Sequence, residues 1–265
     1  MLDPLLQTII LGLIQGFAEW LPISSTAHLR IAEHFLGLTV TPFFGVALHV
    51  GTLIVVIFYF RTDIRKILSA LVHWDFGSEY GHFIPLIVVG TVPTAVIGLL
   101  YVTFLEDTLQ TIMAIGITLL AGATLVYVSK FGKDSKETIT YTMALIMGTA
   151  QGFAIFPGLS RSGATISFAL LLGLKREKAF RFSFLLSIPA ILGDFVVEAY
   201  KQRGQLATEV IGTTELLIGI IVAMISGYVA IRLVQKTVAS KKFYYFAAYT
   251  AVLGVVLIAL ALNGF

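Results

Sequence analysis

The sequence has no cysteine, which excludes disulfides, thiolate nucleophiles and cysteine metal ligands. Charge is scarce too. Only 12% of the 265 residues are Asp, Glu, Lys or Arg, about half the share of a soluble globular domain. Hydrocarbon fills the space: 57% of residues are hydrophobic and the mean hydropathy is +0.93. Several apolar runs approach the ~20 residues that cross a bilayer. They are continuous rather than alternating, so they point to transmembrane helices and not to a β-barrel. The net charge of +3 and pI near 9.0 give no indication of nucleic acid as a partner; in a membrane protein a basic excess is an orientation signal. The N-terminus, MLDPLLQ, has neither a basic segment nor a small-residue cleavage site, so no signal peptide is expected.

Polar residues concentrate in residues 148–174, GTAQGFAIFPGLSRSGATISFALLLGL. Residues 12–38, GLIQGFAEWLPISSTAHLRIAEHFLGL, match this stretch without a gap at an offset of 136. Gln15-Gly16-Phe17-Ala18 fall on Gln151-Gly152-Phe153-Ala154, Ser24 on Ser160, and Gly37-Leu38 on Gly173-Leu174. Self-similarity at a fixed period marks repeated architecture. The repeats are placed at about 1–130 and 137–265 of a single membrane domain.

Asp3-Pro4 is a good helix opening for the apolar segment 4–21. Leu21-Pro22 breaks it, and Ser24-Ser25-Thr26 can cap a second, short helix over about 24–37. Residues 4–37 therefore read as a re-entrant hairpin whose tip is buried in protein within the membrane. Full spans are expected at about 43–60, 83–104 and 111–129, with a polar loop at 61–82 and a kink at Pro85 and Pro93. The pattern then restarts. A half-helix at 139–156, a break at Pro157-Gly158 and a short helix at about 160–174 precede spans at about 180–200, 213–233 and 243–262. The expected fold is an all-α polytopic membrane protein in which each repeat is one re-entrant hairpin plus three transmembrane helices. Three spans are an odd number, so the second repeat sits inverted. On that topology the basic clusters at 61–66, 130–136, 175–181 and 232–242 share one side, and only Lys201 and Arg203 fall on the other. The first side is then cytoplasmic, both termini face outward, and the two tips enter from opposite faces to build a buried polar site.

An ionised carboxylate at membrane depth costs at least ~2.5 kcal/mol on insertion scales, so Glu19 is expected to face a cavity or a partner. Arg161 in the other hairpin is the obvious partner, and Gln15 lies one turn away on the same face as Glu19. Ser25 and His28, three apart, set a hydroxyl near a base; taken singly, Ser24–Thr26 is also an ordinary cap. In PGLSRSGAT, Gly158 and Gly163 permit close ligand approach. The amides opening the helix at Ser160 and the fork of Arg161 suit phosphate oxygens, and Ser160, Ser162 and Thr165 add donors. The set fits phosphoryl transfer, with Gln15 and Glu19 able to hold a divalent ion across the phosphates. Asp194 and Glu198 read as interface residues outside the site.

Gln15-x-x-x-Glu19, LPISSTAH at 21–28 and PGLSRSGAT at 157–165 resemble the undecaprenyl-diphosphate phosphatase family associated with bacitracin resistance. The resemblance spans essentially the whole chain, including IPAILG at 188–193. The first acidic-motif position is often Glu and here is Gln15, and Ala27 stands where Gly is common. The resemblance implies hydrolysis of undecaprenyl diphosphate to the monophosphate carrier lipid of peptidoglycan synthesis, in the bacterial plasma membrane. It implies a divalent cation, Mg2+ or Ca2+, and a site open to the outer face. Carried over, Glu19, Ser25, His28 and Arg161 are catalytic. Ser24, Thr26, Gly158, Ser160, Arg161, Ser162, Gly163 and Thr165 contact the prenyl diphosphate substrate, and Glu19 with Gln15 holds the metal. Besides the substrate, the expected partners are bilayer lipids, with a homodimer left open.

Whether Ser25, His28 or water attacks phosphorus is open at this level. The rival reading is a lipid or small-molecule transporter or flippase, since inverted repeats with broken helices serve transport equally. The Glu, Ser, His and Arg set favours the phosphatase, because binding alone does not require it.

Overall fold

The computed structural model describes residues 3–37, 42–201 and 212–264. Leu38, at the end of the repeat match, and Arg203, one of the two basic residues expected on the far side, lie outside the described residues. The first helix, α1 (Pro4–Trp20), begins where the Asp3 carboxylate accepts the amides of Leu5 (2.9 Å) and Leu6 (3.3 Å). Pro4, with no amide to satisfy, fills its first turn. The chain turns at residues 21–24 into α2 (Ser25–Leu36), which Gly37 closes in the left-handed conformation at φ 59°.

The expected span at 43–60 is a helix, α3 (Pro42–Tyr59). The expected loop at 61–82 is not a loop at its start. It opens with a second helix, α4 (Arg61–Val72), bent by 76° from α3. Its apolar residues Ile64, Ile67, Leu68 and Leu71 recur at helical spacing among Arg61, Asp63, Arg65 and Lys66, the pattern of an amphipathic helix. The remaining helices are α5 (Phe83–Phe104), α6 (Glu106–Leu109), α7 (Ile112–Val128), α8 (Tyr141–Phe153), α9 (Arg161–Leu171), α10 (Arg176–Lys201), α11 (Thr213–Ala239) and α12 (Phe246–Leu262). Short 3-10 turns at Ser129–Phe131 and Phe243–Tyr245 flank α7 and α12. Pro93 lies inside α5 and Pro189 inside α10.

Among the described residues, five helical stretches are long and apolar enough to cross a membrane: Phe83–Phe104, Ile112–Phe131, Arg176–Lys201, Thr213–Ala239 and Phe243–Leu262. A sixth arises if α3 and α4 are counted as one bent span. α1 packs along α11, α8 along α5, and α7 along α12. Small residues permit the first two contacts: a Cβ at Gly16 would overlap Ser226 Oγ and Ala223 O, and one at Gly148 would overlap the Gly90 backbone. The main core gathers around α10, where Phe180, Phe182 and Phe184 are buried with Trp20, Met147 and Leu186. Trp20 stacks on Phe184 with ring centroids 5.2 Å apart. That stack seats the end of α1 against α10 and fixes Glu19 beside it.

Candidate active site

The two helix breaks meet and hold each other. Ser24 Oγ, at the N-cap of α2, accepts the amide of Gly158 in the other tip (3.1 Å). Ser160 Oγ, at the N-cap of α9, donates to Leu21 O in the first tip (3.3 Å). The residues matched at an offset of 136 thus perform reciprocal tasks. Each tip also rests on a hydroxyl from a spanning helix. Thr250 Oγ1 donates to Pro22 O (3.4 Å), and Thr118 Oγ1 donates to Pro157 O. Gly158 has φ +99°, and a Cβ there would run into Thr118 Oγ1 and Ile115 O, so only glycine fits.

Glu19 stands at the end of α1, just before the first tip, and is almost wholly buried. Its Oε2 accepts from Ser25 Oγ (2.9 Å) and from Gln15 Nε2 (3.0 Å). Its Oε1 lies 3.5 Å from Arg161 Nη2. Ser25 and Arg161 are each the first residue of the short helix that follows a tip, and they address opposite oxygens of one carboxylate. Arg161 Nη2 also donates to Asp194 Oδ2 (3.1 Å). Gln15 Nε2 is 3.2 Å from His49 Nδ1, which in turn is 3.8 Å from Glu19 Oε2.

The expected residues divide into two groups. Gln15, Glu19, Ser25 and Arg161 form one contiguous network. Ser162 and Thr165 line a pocket beside it together with Glu19, Trp20, Arg161, Ser183, Phe184 and Ser187. Ser24, Gly158, Ser160 and Gly163 build the junction of the tips: Ser160 Oγ accepts the Gly163 amide (3.2 Å) and lies 3.2 Å from Ser162 Oγ. Thr165 Oγ1 is turned back to Arg161 O (2.9 Å), and Thr26 is exposed.

His28 faces elsewhere. Its Nδ1 lies 2.8 Å from Ser24 O and its Nε2 2.7 Å from Tyr249 OH, with the two rings stacked. A carbonyl only accepts, so Nδ1 carries the proton and Nε2 of the neutral ring accepts from Tyr249. Among the described residues no hydrogen bond joins His28 to Ser25; the Ser25 hydroxyl is donated to Glu19.

Sequence reasoning passed over His49 and Tyr249 as site residues and set Asp194 outside the site, whereas Asp194 pairs with Arg161. A signal existed for His49 and Asp194. His49 is the one side chain within the run 43–60 that can ionise near neutral pH, and Asp194 is a carboxylate inside a spanning helix. Ionisable groups at membrane depth are functional by default. Tyr249 has no such mark among the many aromatics.

Gln15 Oε1 is buried and has no hydrogen-bond partner. The amide turns Nε2, not this oxygen, to Glu19, so joint ligation of a hard cation by the two residues needs the amide flipped. Among the described residues no group of three or more His, Asp or Glu side chains is placed to hold a metal by itself. With the amide flipped, the pair would offer a Mg2+-like ion one carboxylate and one amide oxygen, and its remaining ligands would come from outside the protein.

Fold and site together define a class: a helical membrane protein that buries a carboxylate, a serine hydroxyl and an arginine between two meeting helix breaks. The chain belongs to the Bacitracin resistance protein BacA family, whose model matches residues 8–256. It is 37% identical to an undecaprenyl-diphosphatase of Methanosphaera stadtmanae over 98% of this chain and 99% of the relative. It is 38% identical to an undecaprenyl-diphosphatase of Korarchaeum cryptofilum (96% and 98% covered) and 39% identical to one of Halothermothrix orenii (96% and 97%).

Proposed function

We propose that this chain is an integral membrane undecaprenyl-diphosphatase. It hydrolyses undecaprenyl diphosphate with one water to undecaprenyl phosphate and inorganic phosphate, and so recycles the carrier lipid of cell-wall synthesis. The observation that carries the reading is the Glu19 carboxylate held between Ser25 Oγ at 2.9 Å and Arg161 Nη2 at 3.5 Å. A hydroxyl donated to a carboxylate is a nucleophile with its base in place. The guanidinium beside it binds and neutralises phosphoryl oxygens, which is most of what phosphoryl transfer needs from a protein.

The geometry favours Glu19 as the base for Ser25, or for a water held by Ser25. His28 then acts by shape: it ties Ser24 O in the first tip to Tyr249 on α12. A divalent cation at Glu19 and Gln15 would offset charge on the diphosphate. Asp194 holds the Arg161 fork through the same Nη2 that faces Glu19, which leaves Nη1 free for a phosphoryl oxygen. Ser24, Ser160, Gly158 and Gly163 keep the tips together so that both halves of the site meet one phosphate.

The finer architecture belongs to the same proposal. Two inverted repeats are supported by the paired contacts of α1 with α11 and α8 with α5, and by the reciprocal bonds of Ser24 and Ser160. Outward-facing termini and a site open to the outer leaflet rest on the basic residues around α4, the 129–136 turn, the start of α10 and the end of α11.

Phosphate release from a prenyl diphosphate by the purified protein in detergent, with and without EDTA, tests the reading beside Glu19→Ala. Metal-dependent release that the variant loses is the expected result. Detergent leaves no second compartment, so tight lipid binding without release would point to the transporter. Rapid quench with labelled substrate then asks about the nucleophile: a phosphoenzyme mapped to Ser25 is direct attack, and none is attack by water.

A further inference from the structure

Two buried donors without partners face the same pocket. One is Arg161 Nη1, the arm of the fork not engaged by Glu19 or Asp194. The other is Ser183 Oγ on α10, a residue 2% exposed. The pocket is narrow, with room for about one water molecule. The Trp20–Phe184 stack forms part of its wall. Buried serines in helices usually return the hydroxyl to a carbonyl of their own helix. Ser187, one turn on and lining the same pocket, does so to Phe184 O at 2.7 Å. Ser183 does not, and a buried donor left unmade is costly. An acceptor is therefore missing from the pocket, and it is the size of one oxygen atom.

We propose that Ser183 is a further substrate-contacting residue: its hydroxyl and Arg161 Nη1 form an oxyanion site for one non-bridging oxygen of the terminal phosphoryl group. The inference rests on the phosphatase reading above and deepens it. A whole phosphate does not fit the pocket; a single inserted oxygen does, and the aromatic wall keeps bulk water from competing. Donors aimed where charge develops act chiefly on the transition state, so turnover falls more than affinity when one is removed. The first-repeat position matched to Ser183 at an offset of 136 is Ala47, so the duplicated fold does not itself require the hydroxyl.

The test uses purified full-length protein in detergent with a prenyl diphosphate. Ser183→Ala is expected to lower kcat by about tenfold or more with little change in KM, while Tm holds or rises, since the variant deletes an unsatisfied donor. Ser167→Ala is the control: Ser167 Oγ is equally buried and partnerless but does not line the pocket, so its turnover should match wild type. Wild-type kcat in Ser183→Ala overturns the inference and leaves the hydroxyl facing a structural water. If Ser183→Ala loses stability as well, Ser183→Cys decides, having near-equal size and only a weak donor. Reduced kcat in a variant as stable as wild type supports the site, and full turnover overturns it. No hydrolysis by the wild type overturns the phosphatase reading and this inference together.

Discussion

The two tips share a backbone plan and divide the chemistry. Each is a helix, a proline-bearing break, a capping serine and a short helix, and each serine bonds the other tip. Yet the position that is Glu19 in the first is Ile155 in the second, and Ser25 is matched by Arg161. Gln15 faces Glu19 and His49, whereas its counterpart Gln151 donates to Thr94 Oγ1 and Leu186 O and serves packing. The two meeting helix breaks thus differ in charge: one is anionic with a hydroxyl and the other is cationic. On the proposed reading, phosphoryl transfer draws its base from one tip and its cation from the other.

The sharpest way to break this division is to change its two charged members. Glu19→Ala should lower kcat/KM by about 10²–10⁴-fold, the range for a lost general base. Arg161→Lys should cost about 10²–10³-fold, because an ammonium cannot reach Glu19, Asp194 and a phosphate oxygen as a planar fork does. Phosphate release by each purified variant measures both. Near-normal turnover in Arg161→Lys would take the second tip out of the chemistry and leave it a structural partner.

Much of this was legible in the residues. The match of 12–38 to 148–174 located both breaks to within a few residues, because proline, glycine and capping hydroxyls act locally. Glu19 and Arg161 stood out because charge is so rare in the chain. Orientation was harder. Ser25 and His28 share a helix face, but the ring is drawn to Ser24 O and Tyr249, two contacts made through the tip and through α12, 221 residues away. Asp194 looked like an interface residue because its partner lies on α9, not on a neighbouring turn. In α4, a dense group of charges masked the helical spacing of Ile64, Ile67, Leu68 and Leu71.

The backbone side of the comparison comes next in size. Gly158→Ala should lower stability by about 3 kcal/mol, from a positive φ and overlap with Thr118 Oγ1 and Ile115 O. The first tip places Ser24, not glycine, at φ 69°. Ser24→Ala loses the bonds to Gly158 N and Ala27 N and keeps the strain. Ser24→Gly loses the same bonds and relieves about 1 kcal/mol of it. Thermal unfolding in detergent should therefore rank Ser24→Gly above Ser24→Ala. The reverse order would mean that the entropy glycine adds to the unfolded chain outweighs the strain at that turn. Asp194→Asn is a gentler probe of the site, expected to lower kcat/KM by about tenfold by loosening the Arg161 fork.

The smallest effect tests whether α4 and the segment that follows it are clamped to α10 by charge. Lys178 Nζ donates to Glu79 Oε1 at 2.5 Å, and Arg181 pairs with Asp63 on α4 and lies 3.5 Å from Glu79. The Lys178 hydrogen bond, with its charge, holds the Glu79 carboxyl below its ordinary value of 4.5. A carboxylate depressed in the folded state contributes stability above its unfolded pKa and loses it as pH falls through the folded one. Stability supplied by this clamp should therefore be full near neutrality and fade below about pH 4.5. Glu79 is exposed, so the effect is small and screened by salt. Glu79→Gln should lower Tm slightly at pH 7 in low salt, and the difference from wild type should vanish at pH 3 or in 1 M salt. An equal difference under all three conditions would show that the loop is held by packing of Tyr80 against Arg181 and Lys66, and not by the charge of Glu79.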